Sequence, residues 1–161
     1  MKKAGLVLTT FLMCAAAGIA QTAPAHYNPL TDDDIRLLRQ DVQSAKTVII
    51  RHTMLFSESE DKAFWPVYNE YAEAQHGIAD KRIGVIADYA KNYDTLTDKD
   101  ASSLSERMLQ VEDDTQALRK KYLPKFEAAI GPKRAAKFYQ VDNRLTMIIN
   151  IQLASEIPLI P

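Results

Sequence analysis

The sequence predicts an all-α protein with four main helices, in which a long bent antiparallel helical hairpin carries flanking helices. Apolar residues recur at spacings of three and four from Ile35 to Leu153, which places them on one face of each helix. No stretch alternates apolar and polar residues as a half-buried strand does. Capping residues, glycines and prolines divide this pattern into segments, and those segments define the helices.

The first twenty residues have the layout of a cleaved export signal. Met1-Lys2-Lys3 is positively charged, and an apolar run from Ala4 to Ala20 follows it. Gly18-Ile19-Ala20 places small residues where a signal peptidase cuts. The run is short for a membrane span, which needs about 20 apolar residues. We therefore expect an exported, periplasmic protein.

Cleavage after Ala20 would remove Lys2 and Lys3, leaving 18 basic against 21 acidic residues and a net charge of −3. The single cysteine, Cys14, lies in the signal, so the mature chain offers no disulfide, thiol nucleophile or thiolate ligand. Lipidation of Cys14 is an alternative, but Met13 is larger than the residue that usually precedes a lipidated cysteine. The predicted divisions are a signal peptide (1–20), a flexible lead-in (21–30) and a single helical domain (31–161).

The first helix is predicted from about Asp32 to Leu55. One stripe of its surface is expected to be buried, including His52 as a core histidine without a metal. The stripe comprises Ile35, Leu38, Val42, Ala45, Ile49, His52 and Phe56.

The second helix is predicted to begin at Ser57, where Ser57 and Glu60 form a capping-box pattern, and to run to about Tyr93. Pro66 lies inside it and predicts a bend, because its ring clashes with the carbonyl four residues earlier. Gly77 and Gly84 lie one heptad apart and would permit a neighbouring helix to approach closely.

The third helix is predicted from Thr97 to about Ile130, again with an internal proline, Pro124. Gly131 is expected to end it in a left-handed conformation, and Pro132 suits the first turn of the fourth helix, which runs to about Ser155. Helices of this length exceed the dimensions of a compact 140-residue domain, whose radius of gyration is about 14 Å. They therefore predict an elongated hairpin that exposes much surface, and a homodimer would cover part of it.

Two helix starts repeat one pattern, Leu-Thr-x-x-Asp, in which threonine caps the helix and the acid can bond back to the threonine amide. The six residues are Leu30, Thr31, Asp34, Leu96, Thr97 and Asp100. Together with the export signal and the helical pattern, the motif resembles the Spy/CpxP family of periplasmic proteins, whose helix starts carry Leu-Thr-x-x-Gln. The resemblance implies a cradle-shaped dimer and either chaperone activity without ATP or modulation of envelope-stress signalling. Aspartate replaces the family's glutamine in both motifs, and much of the chain looks like a distinct exported helical family.

The densest aromatic group lies around the first proline bend. Phe64, Tyr68 and Tyr71 share one helix face, and Trp65 lies beside it. Two interpretations remain open: a core cluster that locks the second helix onto the first, or an exposed patch that binds a partner, where aromatic residues are typical anchors.

No catalytic or metal-binding pattern emerges from the sequence. The three histidines, His26, His52 and His76, lack the spacing of a three- or four-ligand zinc site. A basic segment from Arg119 to Lys137 would suggest nucleic acid in a cytoplasmic protein. An export signal argues against nucleic acid as the partner. The segment is then expected to be a solvated face, and contact with an anionic membrane surface or an acidic partner is the lesser alternative.

These observations predict a protein that is not an enzyme, needs no cofactor and binds no nucleic acid. The favoured function is an exported chaperone or stress adaptor that holds partly unfolded clients without ATP. The alternative is a structural or regulatory partner of one specific envelope protein, such as the periplasmic domain of a sensor.

Overall fold

A computed structural model describes residues 32–160, with side chains from Val42 onward except at position 156. The predicted signal, the lead-in, Leu30 and Thr31 lie outside the described residues. The chain forms four helices joined by short connections, and residues 32–160 contain no strand, which confirms the all-α prediction. The elements are α1 (Asp32–Met54), α2 (Glu58–Asn92), a 3-10 turn (Tyr93–Thr95), α3 (Asp98–Ile130) and α4 (Pro132–Glu156).

The helix boundaries follow local chemistry. Ser57 caps α2 and Thr97 caps α3, each with the complete capping box that the sequence predicts. Helices α2 and α3 continue past Pro66 and Pro124, although proline lacks the N–H that donates the helical hydrogen bond, so neither proline divides its helix. Between α1 and α2, Leu55 takes a positive φ of 48°, a conformation that non-glycine residues rarely adopt.

Helices α2 and α3 form the antiparallel hairpin. Three ion pairs cross it in antiparallel order: Glu70 with Lys125 at 2.8 Å, Lys81 with Asp114 at 2.6 Å, and Asp88 with Arg107 at 2.6 Å. Helix α4 folds back beside α3, and α1 packs antiparallel along α4. All three bonded pairs are at least partly exposed, so they set the alignment of the hairpin more than its stability.

The buried face of α1 differs from the predicted stripe. Val42, Ala45, Ile49 and His52 are exposed, whereas Lys46, Ile50 and Met54 are buried. The shift of one position corresponds to a rotation of about 100° around the helix axis. Its physical cause is the ion pair that Lys46 makes with the buried Asp142 of α4, which turns α1's strongest apolar stripe toward solvent. The expectation that His52 is a core histidine was therefore wrong.

Two glycine predictions are corrected. A Cβ added at Gly77 or Gly84 would meet no atom within 4 Å, so no neighbouring helix requires glycine there. Gly131 has the predicted positive φ, 80°, but its ψ of 154° is extended, where a left-handed helical residue has about 47°. It ends α3 and begins α4 in one residue.

These positions predict opposite responses to alanine. Gly77→Ala should raise the free energy of unfolding by about 0.5–1 kcal/mol, because alanine loses less conformational entropy in a helix. Gly131→Ala should lower it by about 1–3 kcal/mol, because that φ is strained for any residue with a Cβ. Urea unfolding of both variants measures the difference. Stabilisation by Gly131→Ala would contradict the described turn.

Candidate functional site

The predicted aromatic patch lies mainly inside the protein. Phe64, Tyr68 and Tyr71 are fully buried, and Trp65 is half-buried. Of the two interpretations left open by the sequence, the structure agrees with the core cluster for these three rings. Trp65 alone keeps exposed surface, where its indole donates to Asp61 and the Arg51 guanidinium lies 4.1 Å from its ring.

The buried cluster is broader than the predicted one between α2 and α1, because its rings come from α2, α3 and α4. Phe64 of α2 lies 5.5 Å from Phe126 of α3 and 5.1 Å from Phe138 of α4, measured between ring centroids. Ile50 and Met54 bring α1 into the same cluster. Aromatic pairs at these separations add attraction beyond the area they bury. This cluster holds α2 and α3 together at the open end of the hairpin, opposite the Tyr93–Thr95 turn.

A buried polar centre lies beside the aromatic core and takes one residue from each helix. Asp142 of α4 is fully buried and accepts a hydrogen bond from the Tyr71 hydroxyl of α2 at 3.0 Å. Lys46 of α1 lies 3.1 Å from its Oδ1 atom, and Arg119 of α3 lies 3.8 Å from its Oδ2 atom. Lys46 also donates to Gln75 at 3.1 Å.

The Asp142 centre is incompletely hydrogen-bonded. Lys46 forms an ion pair with Asp142, but its geometry is not that of a hydrogen bond, so Asp142 Oδ1 has no hydrogen-bond donor. The Nε atom of Arg119 likewise has no hydrogen-bond acceptor. Burial of a carboxylate is tolerated here because two cations face it. The sequence pattern did not predict this centre, although Asp142 follows Phe138 by four residues and so shares its buried face.

The tyrosines around the centre stay protonated at physiological pH. Burial, and then the negative charge of Asp142, raises the pKa of Tyr68 to about 12 and that of Tyr139 to about 12. The same causes raise the pKa of Tyr71 further, so its hydroxyl remains a donor to Asp142. The Tyr71 hydroxyl therefore ties α2 to Asp142 of α4 as a structural contact.

Apolar side chains are exposed on two neighbouring helices and on the segment after α4, residues 157–160, which we call the tail. We call this set the outer apolar surface; it comprises Val42, Val48 and Ile49 of α1, Met147, Ile148 and Ile151 of α4, and Leu159 and Ile160. Ile148 is 54% exposed and Ile151 is 66% exposed. Single exposed apolar residues are ordinary, but these eight lie on α1, on α4, which packs against α1, and on the tail, so together they are the candidate interaction surface of the described residues.

The tail is held in place although its side chains are exposed. The Tyr89 hydroxyl donates to the Pro158 carbonyl at 2.9 Å, and the Tyr93 hydroxyl donates to the Leu159 carbonyl at 3.2 Å. The Leu159 side chain is nevertheless 89% exposed. The backbone of the tail is thus tied to the end of α2 while its apolar side chains face outward.

The predicted basic segment is divided among separate roles. Arg119 belongs to the Asp142 centre, and Lys125 pairs with Glu70. Arg134 and Lys137 donate to the last carbonyls of α1, at Met54 and Thr53, each at 2.7 Å. These cations satisfy carbonyls that have no partner within the helix and complement the negative end of its dipole. The solvated-face interpretation is therefore incomplete for this segment.

Only the second helix-start motif can be described in full. The Thr97 hydroxyl donates to Asp100 at 2.6 Å, and the Asp100 amide donates to the Thr97 hydroxyl at 3.2 Å. Leu96 is half-buried beside it. Asp34 lies in the first turn of α1, and its side chain is outside the described residues. The motif acts in the structure as a cap.

The cap predicts a pH-dependent effect of Asp100→Asn. Hydrogen bonds from Thr97 hold the pKa of Asp100 below its usual value, so the ionised form stabilises the fold above the unfolded pKa of about 3.9. That stabilisation is lost as the pH falls through the lower, folded-state pKa. The stability difference between wild type and Asp100→Asn should therefore be present at pH 7 and shrink in acid. Urea unfolding between pH 7 and pH 2 measures it, and a pH-independent difference would contradict the described cap.

Neither metal-binding nor membrane-spanning features occur in the described part of the chain. Residues 32–160 hold no group of three or more His, Cys, Asp or Glu side chains placed for a metal ion. His76 lies 3.5 Å from Glu73, an ordinary pair within one helix. Over the same range, no helix combines the length and hydropathy that a bilayer span requires.

Comparison with known proteins found no matching family, no matching curated protein and no matching solved structure. The resemblance to the Spy/CpxP family consequently stays a prediction from the sequence motifs.

Proposed function

We propose that this protein is an exported helical binding protein that holds partly unfolded clients without ATP, as a chaperone or stress adaptor. The observation that carries the proposal is the outer apolar surface. An extended set of aliphatic and methionine side chains on helices suits adaptable contact with many sequences, and methionine repacks easily against different partners.

The buried architecture supports this role. The aromatic cluster and the Asp142 centre anchor all four helices, so apolar side chains can face solvent while the core remains filled. An enzyme would instead need a pocket with convergent polar groups. The proposal therefore places function on an outer surface and assigns the interior to stability.

Suppression of client aggregation tests this function. The mature protein is mixed with several unrelated unfolded clients in the absence of ATP, and light scattering is followed. We expect protection of most clients at stoichiometric amounts. The triple variant Met147→Ser/Ile148→Ser/Ile151→Ser should protect less, whereas the matched control Leu109→Ser, an exposed site on α3, should protect as wild type does.

A second candidate is regulation of one specific envelope protein. The polar depression at the start of α4, lined by residues that include Lys133, Lys137 and Gln140, favours it, since one specific partner could recognise such a defined surface. Protection of no client, together with one partner recovered by crosslinking in the envelope, would support this function over the first.

We also propose a homodimer, because a long hairpin exposes surface that a two-fold arrangement could cover. Sedimentation equilibrium at micromolar concentration measures the mass. A single species at the monomer mass would contradict the dimer.

A further inference from the structure

The outward face of α4 changes character along the helix axis. Lys133, Lys137, Gln140 and Arg144 lie on its first half, and Met147, Ile148 and Ile151 lie on its second half, all exposed. At 100° per residue, these seven positions fall within a sector of about 100°, so they form one face. One continuous surface is thus polar and basic at one end and apolar at the other.

Up to position 155, the charged residues of α4 are confined to its first half. The segment 145–155 contains no charged residue, whereas the first half carries cations and a single acid, Asp142, which is buried. The positive end of the helix dipole adds to the potential of the first half. Lys133, Arg134, Ala136, Lys137 and Gln140 also line an open depression there. Since Arg134 lies 2.7 Å from Glu60, Lys133 and Lys137 supply the unneutralised positive charge of this depression.

We propose that the outward face of α4 docks an amphipathic helical segment of another protein, with carboxylates at one end and apolar residues at the other. This inference rests on the proposed function and names the class of segment that the outward face of α4 binds most tightly. Charge complementarity orients the segment, with its acids at Lys133 and Lys137 and its apolar residues at Ile148 and Ile151.

Other occupants fit this face less well. A helix lying in a membrane interface carries cations beside an apolar face along its whole length, whereas α4 separates the two along its axis. A second copy pairing through the apolar half would leave Lys133 and Lys137 without counter-charges. Only a segment with an acidic end complements both halves.

The spacing of the face fixes the design of a probe. Lys137 and Ile148 are eleven residues apart, about 16 Å along a helix. A helical peptide of about 20 residues, with glutamates three turns from a cluster of leucines, spans that distance. Two control peptides of equal length and helicity have the glutamates spread evenly or replaced by lysines.

Fluorescence anisotropy of the three labelled peptides with the mature protein provides the test. We expect the acid-ended peptide to bind at least about tenfold more tightly than either control, with an affinity that falls as salt rises. Lys133→Glu and Ile148→Ser/Ile151→Ser should each weaken it, and Leu109→Ser should not. Lys137→Glu is the less direct variant because Lys137 also bonds to the Thr53 carbonyl, and the exposed Lys133 avoids that complication.

Several outcomes would overturn the inference. Equal affinity for the three peptides, or an affinity that Lys133→Glu does not change, would show that the face binds only through its apolar residues. Tighter binding to phosphatidylglycerol vesicles than to any peptide would identify a membrane surface. A dimer that is abolished by Ile148→Ser/Ile151→Ser and is not displaced by the acid-ended peptide would identify a second copy.

The inference and the proposed function fail separately. If the protein protects unfolded clients but binds all three peptides alike, holding of clients stands and the docking inference is overturned. If it protects no client yet binds the acid-ended peptide preferentially, the docking inference is supported and client holding is overturned.

Discussion

Asp142→Ala is expected to lower the free energy of unfolding by about 3–5 kcal/mol. The substitution leaves the cations of Lys46 and Arg119 facing each other in the interior without the carboxylate between them, and it leaves the Tyr71 hydroxyl without its acceptor. Urea unfolding followed by circular dichroism measures the loss.

Two further variants separate charge from packing at this centre. Asp142→Asn keeps an acceptor for Tyr71 but removes the charge, so we expect an intermediate loss. Lys46→Met/Asp142→Leu removes both members of the ion pair and should recover part of the stability that Asp142→Ala loses, because it leaves one unmatched cation, Arg119, where Asp142→Ala leaves two. A loss below about 1 kcal/mol for Asp142→Ala would show that water reaches the centre.

Phe64→Ala is the second substitution with a large expected effect, a loss of about 3–5 kcal/mol. Phe64 is fully buried and contacts rings from α3 and α4, including Phe126 and Phe138, so its removal opens a cavity where the helices meet. Phe64→Leu should cost less because it retains most of the volume. Leu109→Ala, at an exposed site, should change stability by no more than about 0.5 kcal/mol.

This second prediction also decides between the two interpretations of the aromatic group. If Phe64 served mainly as an exposed anchor for a partner, its truncation would leave stability nearly unchanged and reduce binding. A large loss of stability in Phe64→Ala, in which the exposed residues of α4 are unchanged, assigns the ring to the core.

The helices and their ends could be predicted from the sequence because the signals are local. Ser57 and Thr97 cap through hydroxyls and acids three residues away, and Gly131 with Pro132 marks a break that depends on two adjacent residues. Such features need no knowledge of the tertiary structure. For this reason the four helices agree with the predicted boundaries to within one or two residues.

The orientation of α1 could not be predicted in the same way. Periodicity identifies the most apolar stripe, and in most helices that stripe is buried. Here a charged residue, Lys46, is drawn inward by Asp142, which lies 96 positions later in the chain. A contact of that separation leaves no trace in a local pattern, so Val42 and Ile49 were predicted to be buried and are exposed.

Long-range packing also explains why the sequence left two interpretations of the aromatic group open. Aromatic residues such as Phe64 and Tyr68 are typical anchors for a partner, but the packed helices bury them here. The aliphatic residues Ile148 and Ile151 of α4 carry no local sequence signal of exposure, and the packing of the four helices leaves both exposed. Burial, which depends on all four helices, distinguishes the two sets.

Site-specific crosslinking tests most directly the claim that clients are held on the outer apolar surface. A photoreactive amino acid is placed at position 148 on α4, at position 49 on α1 and, as a matched exposed control, at position 109 on α3. After irradiation with an unfolded client, we expect strong adducts from positions 148 and 49 and weak ones from 109. Equal adducts from all three positions, or adducts from 109 alone, would contradict this assignment.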